Sequence, residues 1–151
     1  SWPARMQRLT AGPLAAMARA KGADLWLDGG HNPHAARALA RTIGDMAARD
    51  GRPVALVCGL LANKDADGFF DAFAGLAPAV QTVGFDAPAA ADPAQLAEIA
   101  RAHGLSASAH GDVAAGLAAA LAGETPPHVV IAGSLYLAGE VLGLDEATWP
   151  R

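Results

Sequence analysis

Apolar and polar positions alternate along the chain in blocks that predict strands and helices in turn. Short runs without polar interruption read as strands: Met6–Leu9, Leu25–Asp28, Val54–Gly59, Val80–Phe85 and Val129–Ala132. Between them lie longer alanine-rich stretches with helical spacing, over Pro33–Arg49, Ala66–Ala77, Pro93–His103, Val113–Ala122 and Leu135–Leu142. Asp92-Pro93 and Asp112 supply helix starts, while Gly104 and Gly123 supply stops. The stretch from Gly12 to Gly22 fits either a helix or a helical turn between two strands. Continuously apolar strands separated by helices imply an α/β fold, Rossmann-like, in which a mainly parallel sheet carries helices on both faces. At 151 residues the chain makes one domain.

Parallel strands joined by right-handed crossovers bring all their carboxyl ends to one edge, where ligands of open α/β sheets gather. Three segments meet there: Asp28 to His31, Leu60 to Asp65, and Gly133 to Tyr136. The first says the most. A buried strand delivers Asp28, two glycines turn the backbone, and Asn32 and Pro33 open a helix as N-cap and first residue. Asp28, His31 and His34 therefore crowd a helix N-terminus, which attracts anions through free N–H groups and the dipole. The pair His31/His34 with Asp28 can be read as a metal site, but spacing without a third firm ligand is a weak signal.

Composition narrows the partners. A net charge of −4 gives no basic footprint for nucleic acid. No apolar run reaches membrane length and no signal-peptide pattern opens the chain, so the expected location is the cytoplasm. The single cysteine, Cys58, lies inside an apolar strand and reads as a buried small hydrophobe. The sequence has no Gly-x-x-x-x-Gly-Lys-Ser/Thr loop, and no Gly-x-Gly-x-x-Gly follows the first strand. No base is paired with Ser134 in the manner of a nucleophilic serine, which argues against hydrolase chemistry.

The run Asp28-Gly29-Gly30-His31-Asn32-Pro33-His34-Ala35-Ala36 resembles the C-terminal-domain signature of folylpolyglutamate synthase/dihydrofolate synthase, in the Mur ligase superfamily. Three further stretches resemble that family in the same order. They are Trp2-Pro3-Ala4-Arg5-Met6-Gln7, Gly59-Leu60-Leu61-Ala62-Asn63-Lys64-Asp65, and Gly133-Ser134-Leu135-Tyr136-Leu137-Ala138-Gly139-Glu140. Two departures stand out: Ala4 where the family has Gly, and Asn63 where it has Asp.

The resemblance implies an ATP-dependent ligase that joins L-glutamate to folate, and to dihydropteroate in the bifunctional members, through an acyl phosphate. It implies that Arg5 and Asp28 bind the nucleotide, and that His31, Lys64 and Ser134 serve the glutamate, His31 being the catalytic candidate. It places the P-loop and the ligands of Mg2+ in a separate N-terminal domain, with Trp2-Pro3-Ala4-Arg5 as the hinge. The opening Ser1-Trp2-Pro3 fits a trailing piece of a longer protein. A piece without its P-loop domain is expected to be inactive, and the complete protein to be a monomer. Two other functions fit the same residues: a Mur-type ligase that adds a peptidoglycan amino acid, and a free-standing α/β module for a nucleotide or small anion.

Overall fold

The computed structural model describes residues 6–146. Six strands and six helices alternate: β1 (Gln7–Arg8), α1 (Pro13–Ala20), β2 (Asp24–Leu27), α2 (Pro33–Asp50), β3 (Val54–Cys58), α3 (Ala66–Phe73), β4 (Ala79–Val83), α4 (Pro93–Ala102), β5 (Ala107–His110), α5 (Val113–Ala120), β6 (His128–Ala132) and α6 (Leu135–Glu146). They form one sheet in the order β1-β2-β6-β3-β4-β5. β2, β6, β3, β4 and β5 are parallel, and only the edge strand β1 runs antiparallel to its neighbour.

Strand parity explains how the sheet is covered. Leu25, Leu27, Ala55, Val57, Val129 and Ile131 face a core shared with Leu14, Leu117 and Leu137 of α1, α5 and α6. Leu56, Cys58, Val130 and Ala132 point the other way, onto Leu39, the phenylalanines of α3, and Leu96. Phe69, Phe70 and Phe73 are the bulk of that second layer, with ring centroids 5.3–5.4 Å apart in tilted and edge-on pairs. The path β2–β3–β4–β5 advances across the sheet over one face, and the return to β6 over α5 uses the other. Right-handed crossovers require this reversal.

The ambiguous stretch after Gly12 is helix α1, and the helix at Ala66 stops at Phe73, four residues before the sequence pattern suggested. Ala77 precedes a proline and adopts φ 50°, which ends the turn. β5 is the one strand that the hydrophobic pattern missed. Its residues, Ala-Ser-Ala-His, are small or polar because it is an edge with little to bury. Among the described residues no helix is long and apolar enough to cross a membrane.

The amino ends of the central strands are tied by a polar cluster that the sequence pattern did not flag. His128 opens β6 and is only 4% exposed, in register with Asp24 of β2. Its Nδ1 lies 2.9 Å from the Asp24 carboxylate, and its Nε2 2.8 Å from that of Asp50 at the end of α2. The Trp26 indole donates to Asp24 at 2.9 Å, and Arg52 lies 3.5 Å from it. Arg52 also donates to the carbonyls of Gly22, Pro126 and Pro127, so one side chain joins three loops.

Burial pushes the Asp24 carboxyl up, but hydrogen bonds from Trp26 and His128 outweigh it and leave it below its ordinary value. The hydrogen bond from His128, aided by the Arg52 N–H, lowers Asp50 as well.

A carboxyl depressed on folding stabilises the fold at neutral pH. That contribution disappears as the pH falls through the ordinary value of 3.8 toward the folded one. Urea unfolding followed from pH 6 to pH 3 is therefore expected to weaken steeply below pH ~4. The drop should be smaller in Asp24→Asn. His128→Ala should cost up to about 3 kcal/mol at pH 7, because Asp24 stays partly compensated by Trp26 and Arg52.

Candidate functional site

At the opposite edge of the sheet, β2 and β6 are neighbours whose chains leave in opposite directions. β2 turns into α2 on one face, and β6 turns into α6 on the other. Divergence of this kind opens a crevice beyond the strand ends, the usual ligand position in an open α/β sheet. A cleft of about 510 Å³ lies there, lined by Met6, Asp28, His31, His34, Leu39 and Thr42, among others. A smaller recess of about 100 Å³ continues past it between His31, Leu61, Lys64, Ser134 and Tyr136. His31 and Leu135 form the wall that the two share.

Asp28 is 7% exposed and extends β2 by donating its backbone N–H to the Ile131 carbonyl at 2.9 Å. Its carboxylate Oδ1 accepts from the Gly30 N–H at 2.7 Å, and its Oδ2 from the Met6 N–H at 3.1 Å. Each oxygen thus uses one of two lone pairs and keeps the other for a donor in the cleft. Gly30 must be glycine, since a Cβ there would stand 2.8 Å from the Ala35 Cβ and 2.9 Å from Asp28 Oδ1. The Asn32 side chain then caps α2, accepting from the Ala35 N–H at 2.8 Å, with Pro33 as the first helical residue.

Among the described residues, the buried Nδ1 of the His31 imidazole has no hydrogen-bond partner. A polar atom in that condition is costly unless a ligand completes it. His34 is exposed on the first turn of α2 and lines the larger cleft. Among the described residues no group of three His, Cys, Asp or Glu side chains could hold a metal ion.

The other two loops close the recess. Ser134 is 2% exposed, and its Oγ accepts from the Tyr136 N–H at 3.1 Å, capping α6. Gly133 before it has φ 114°, and a Cβ at this position would meet the Gly59 carbonyl oxygen at 2.5 Å. The loops after β6 and β3 pack backbone to backbone there. Asp65 caps α3 by accepting from the Gly68 N–H at 2.9 Å, and a Cβ on Gly68 would stand 2.7 Å from Pro33 Cγ. Hence α2 and α3 begin side by side. Half-buried Lys64 faces the recess and has no carboxylate within 4 Å among the described residues.

Of the residues singled out from sequence, Asp28, His31, Lys64 and Ser134 line this continuous crevice. Arg5 lies outside the described residues. Leu135 and Tyr136 contribute walls that sequence reasoning had left without a role, and Tyr136 is 61% exposed. Their place after a capping serine was the available signal. Burial pushes the Cys58 thiol far up, so it is an inert part of the core.

The family model for the Mur ligase glutamate ligase domain matches residues 5–135. This chain belongs to that family. Among solved structures, Mycobacterium tuberculosis folylpolyglutamate synthase, complexed with ADP and AMPPCP, superposes with TM-score 0.77 at 24% identity, over 100% of this chain and 34% of its own. Yersinia pestis bifunctional folylpolyglutamate synthase/dihydrofolate synthase, complexed with AMPPNP and Mn, gives 0.73 at 28% identity, over 95% of this chain and 31% of its own. E. coli FolC in complex with DHPP and ADP gives 0.72 at 23% identity, over 97% of this chain and 32% of its own. The chain therefore spans about a third of the length of these proteins. No curated protein sequence matches it.

The close backbone packing under the recess predicts that Gly133→Ala lowers stability by about 2 kcal/mol, from the forbidden conformation alone. Calorimetry should register a melting temperature lower by about 4–8 °C. Gly143→Ala, where an added methyl meets nothing within 4 Å, should leave it unchanged or slightly raised.

Proposed function

We propose that this chain is the glutamate-side, nucleotide-contacting domain of an ATP-dependent ligase that joins L-glutamate to a folate. Dihydropteroate is the further acceptor of the bifunctional enzymes. The observation that carries the proposal is the continuous crevice of Asp28, His31, Lys64 and Ser134 at the β2/β6 divergence, in a member of this ligase family. The relatives named above were solved with adenine nucleotides, and one of them with Mn.

In the reaction, a carboxylate of the folate takes the γ-phosphoryl group of ATP, and ADP leaves. The amine of glutamate attacks the acyl phosphate, the carbon–nitrogen bond forms, and inorganic phosphate departs with the electron pair of the broken carbon–oxygen bond. The amine must shed a proton as it attacks. Asp28 keeps a free lone pair on each carboxylate oxygen to accept ribose hydroxyls. Arg5, if swung over the cleft, would pair bidentately with phosphate oxygens.

Lys64 and the capped starts of α3 and α6 supply positive potential for the carboxylates of glutamate. His31, with its unpartnered Nδ1 beside both cavities, lies where the nucleotide and the amino acid would meet. It would hold the glutamate, or take its proton. Mg2+ on the ATP phosphates would be held mainly by the N-terminal P-loop domain that the family resemblance implies. That domain would close on this one, in the cytoplasm, within a monomer. Holding two reactants in attack geometry is the main contribution of such a clamp, worth up to about 7–11 kcal/mol.

The test is glutamate ligation by the complete protein with tetrahydrofolate or dihydropteroate and ATP. Asp28→Asn should raise the KM for ATP roughly tenfold, the worth of one charge-assisted hydrogen bond. His31→Ala and Ser134→Ala should raise the KM for glutamate, and His31→Ala should also lower kcat. The 151-residue chain alone should produce no folylglutamate. Wild-type constants in all three variants, or turnover by the chain alone, would contradict the assignment.

A further inference from the structure

Lys64 stands on the loop between β3 and α3, and that loop is braced by its neighbour between β4 and α4. The Ala62 N–H donates to the Ala89 carbonyl at 2.7 Å, and the Ala91 N–H to the Leu60 carbonyl at 2.8 Å. Between them, Leu61 and Ala90 pair as an antiparallel bridge. The ring of Phe85 packs on the first residue of the Lys64 loop, where a Cβ on Gly59 would stand 2.7 Å from its Cδ1. Two irregular loops thus share a short ladder, and the position of one sets the position of the other.

The brace needs an anchor. Past Phe85 it reads Asp86-Ala87-Pro88-Ala89-Ala90-Ala91, with no large apolar side chain to bury. The anchor comes from α6. Glu140 Oε1 accepts from the Asp86 N–H at 2.8 Å, across 54 positions of sequence. Among the described residues no Lys, Arg or His nitrogen lies within 4 Å of the Glu140 carboxylate, so this bond is not diverted by an ion pair. Leu137, Ala138 and Val141 bury the same helix in the core, which makes its flank a fixed point. Ser134 caps that helix, ~9 Å along the axis from Glu140. One rigid element therefore holds Ser134 on one side of the recess and, through Glu140, steadies Lys64 on the other.

We propose that Glu140 is a positioning residue: by tying residues 85–91 to α6, its carboxylate sets the separation of Lys64 from Ser134 across the recess. Glu140 lines neither cavity and acts through the Lys64 loop. The consequence for substrate rests on the glutamate reading proposed above. The tie itself rests only on Glu140, Asp86 and the ladder to Ala62.

The experiment uses the complete protein and two readouts, amide exchange and the kinetics of glutamate ligation with tetrahydrofolate and ATP. In Glu140→Ala, exchange at Asp86 and at Ala62 should speed up about tenfold, while Ala35 at the start of α2 keeps its wild-type rate. The KM for glutamate should rise about fivefold with kcat within about twofold of wild type. Glu140→Gln keeps an acceptor oxygen and should restore both the exchange rates and the KM. If Glu140→Ala does not fold, Glu140→Asp, one methylene too short to reach the Asp86 N–H, takes its place.

Wild-type exchange at Asp86, or faster exchange there that does not extend to Ala62, would overturn the tie. A wild-type KM for glutamate despite faster exchange at both amides, or a Gln variant as impaired as the Ala variant, would overturn the positioning role. Absence of glutamate ligation by the wild type would remove the glutamate reading, and the exchange comparison would still decide the tie.

Discussion

Two adjacent parallel strands that send their chains to opposite faces of a sheet cannot fill the space between their own carboxyl ends. β2 and β6 stand in that relation here, and the crevice is its consequence. What remains is to keep the crevice from collapsing. Gly133 lets the loop after β6 lie against the Gly59 carbonyl, and Gly30 lets the loop after β2 fold tightly onto its own aspartate. Both loops end in capped helices, with Asn32 on α2 and Ser134 on α6, so each wall is rigid for its own local reasons. A ligand site assembled this way needs few side chains. The backbone sets the positions, and in the function proposed above Asp28, His31 and Lys64 would supply the chemistry.

The other end of the same strands is built for stability. His128 joins β6 to β2 and to the end of α2 through two carboxylates, and Arg52 gathers three loop carbonyls. Placing the charged ties at the amino ends leaves the carboxyl ends with a cation and a buried imidazole nitrogen that have no partner among the described residues. Polar groups left unsatisfied are tolerable in a fold anchored elsewhere. The division of labour follows the sheet polarity.

The hydrophobic pattern made the central architecture legible. Continuous apolar runs marked the buried strands, and Asn32-Pro33, Asp92-Pro93 and Asp112 marked helix starts that are caps in the structure. Motif order made the crevice legible, because the three motif segments fall after three strands. β5 was not legible: an edge strand buries little, so Ala107–His110 has no need of apolar residues. The antiparallel direction of β1 was equally hidden, since two residues carry no directional signal. The His128 cluster escaped for another reason. Its members stand at 24, 50, 52 and 128, and the β2–β6 and β3–β6 registers together bring them to one place. Long-range polar pairing leaves no local period to read.

The central claim is that one crevice takes a nucleotide at Asp28 and an amino acid at His31, Lys64 and Ser134. A crystal structure of the complete protein with a non-hydrolysable ATP analogue and L-glutamate addresses it directly. The account predicts a ribose hydroxyl within hydrogen-bonding distance of the Asp28 carboxylate, and a glutamate carboxylate against Lys64 or the start of α6. Both ligands bound in full, with no atom of either within contact of residues 28–34 or 133–136, would contradict it.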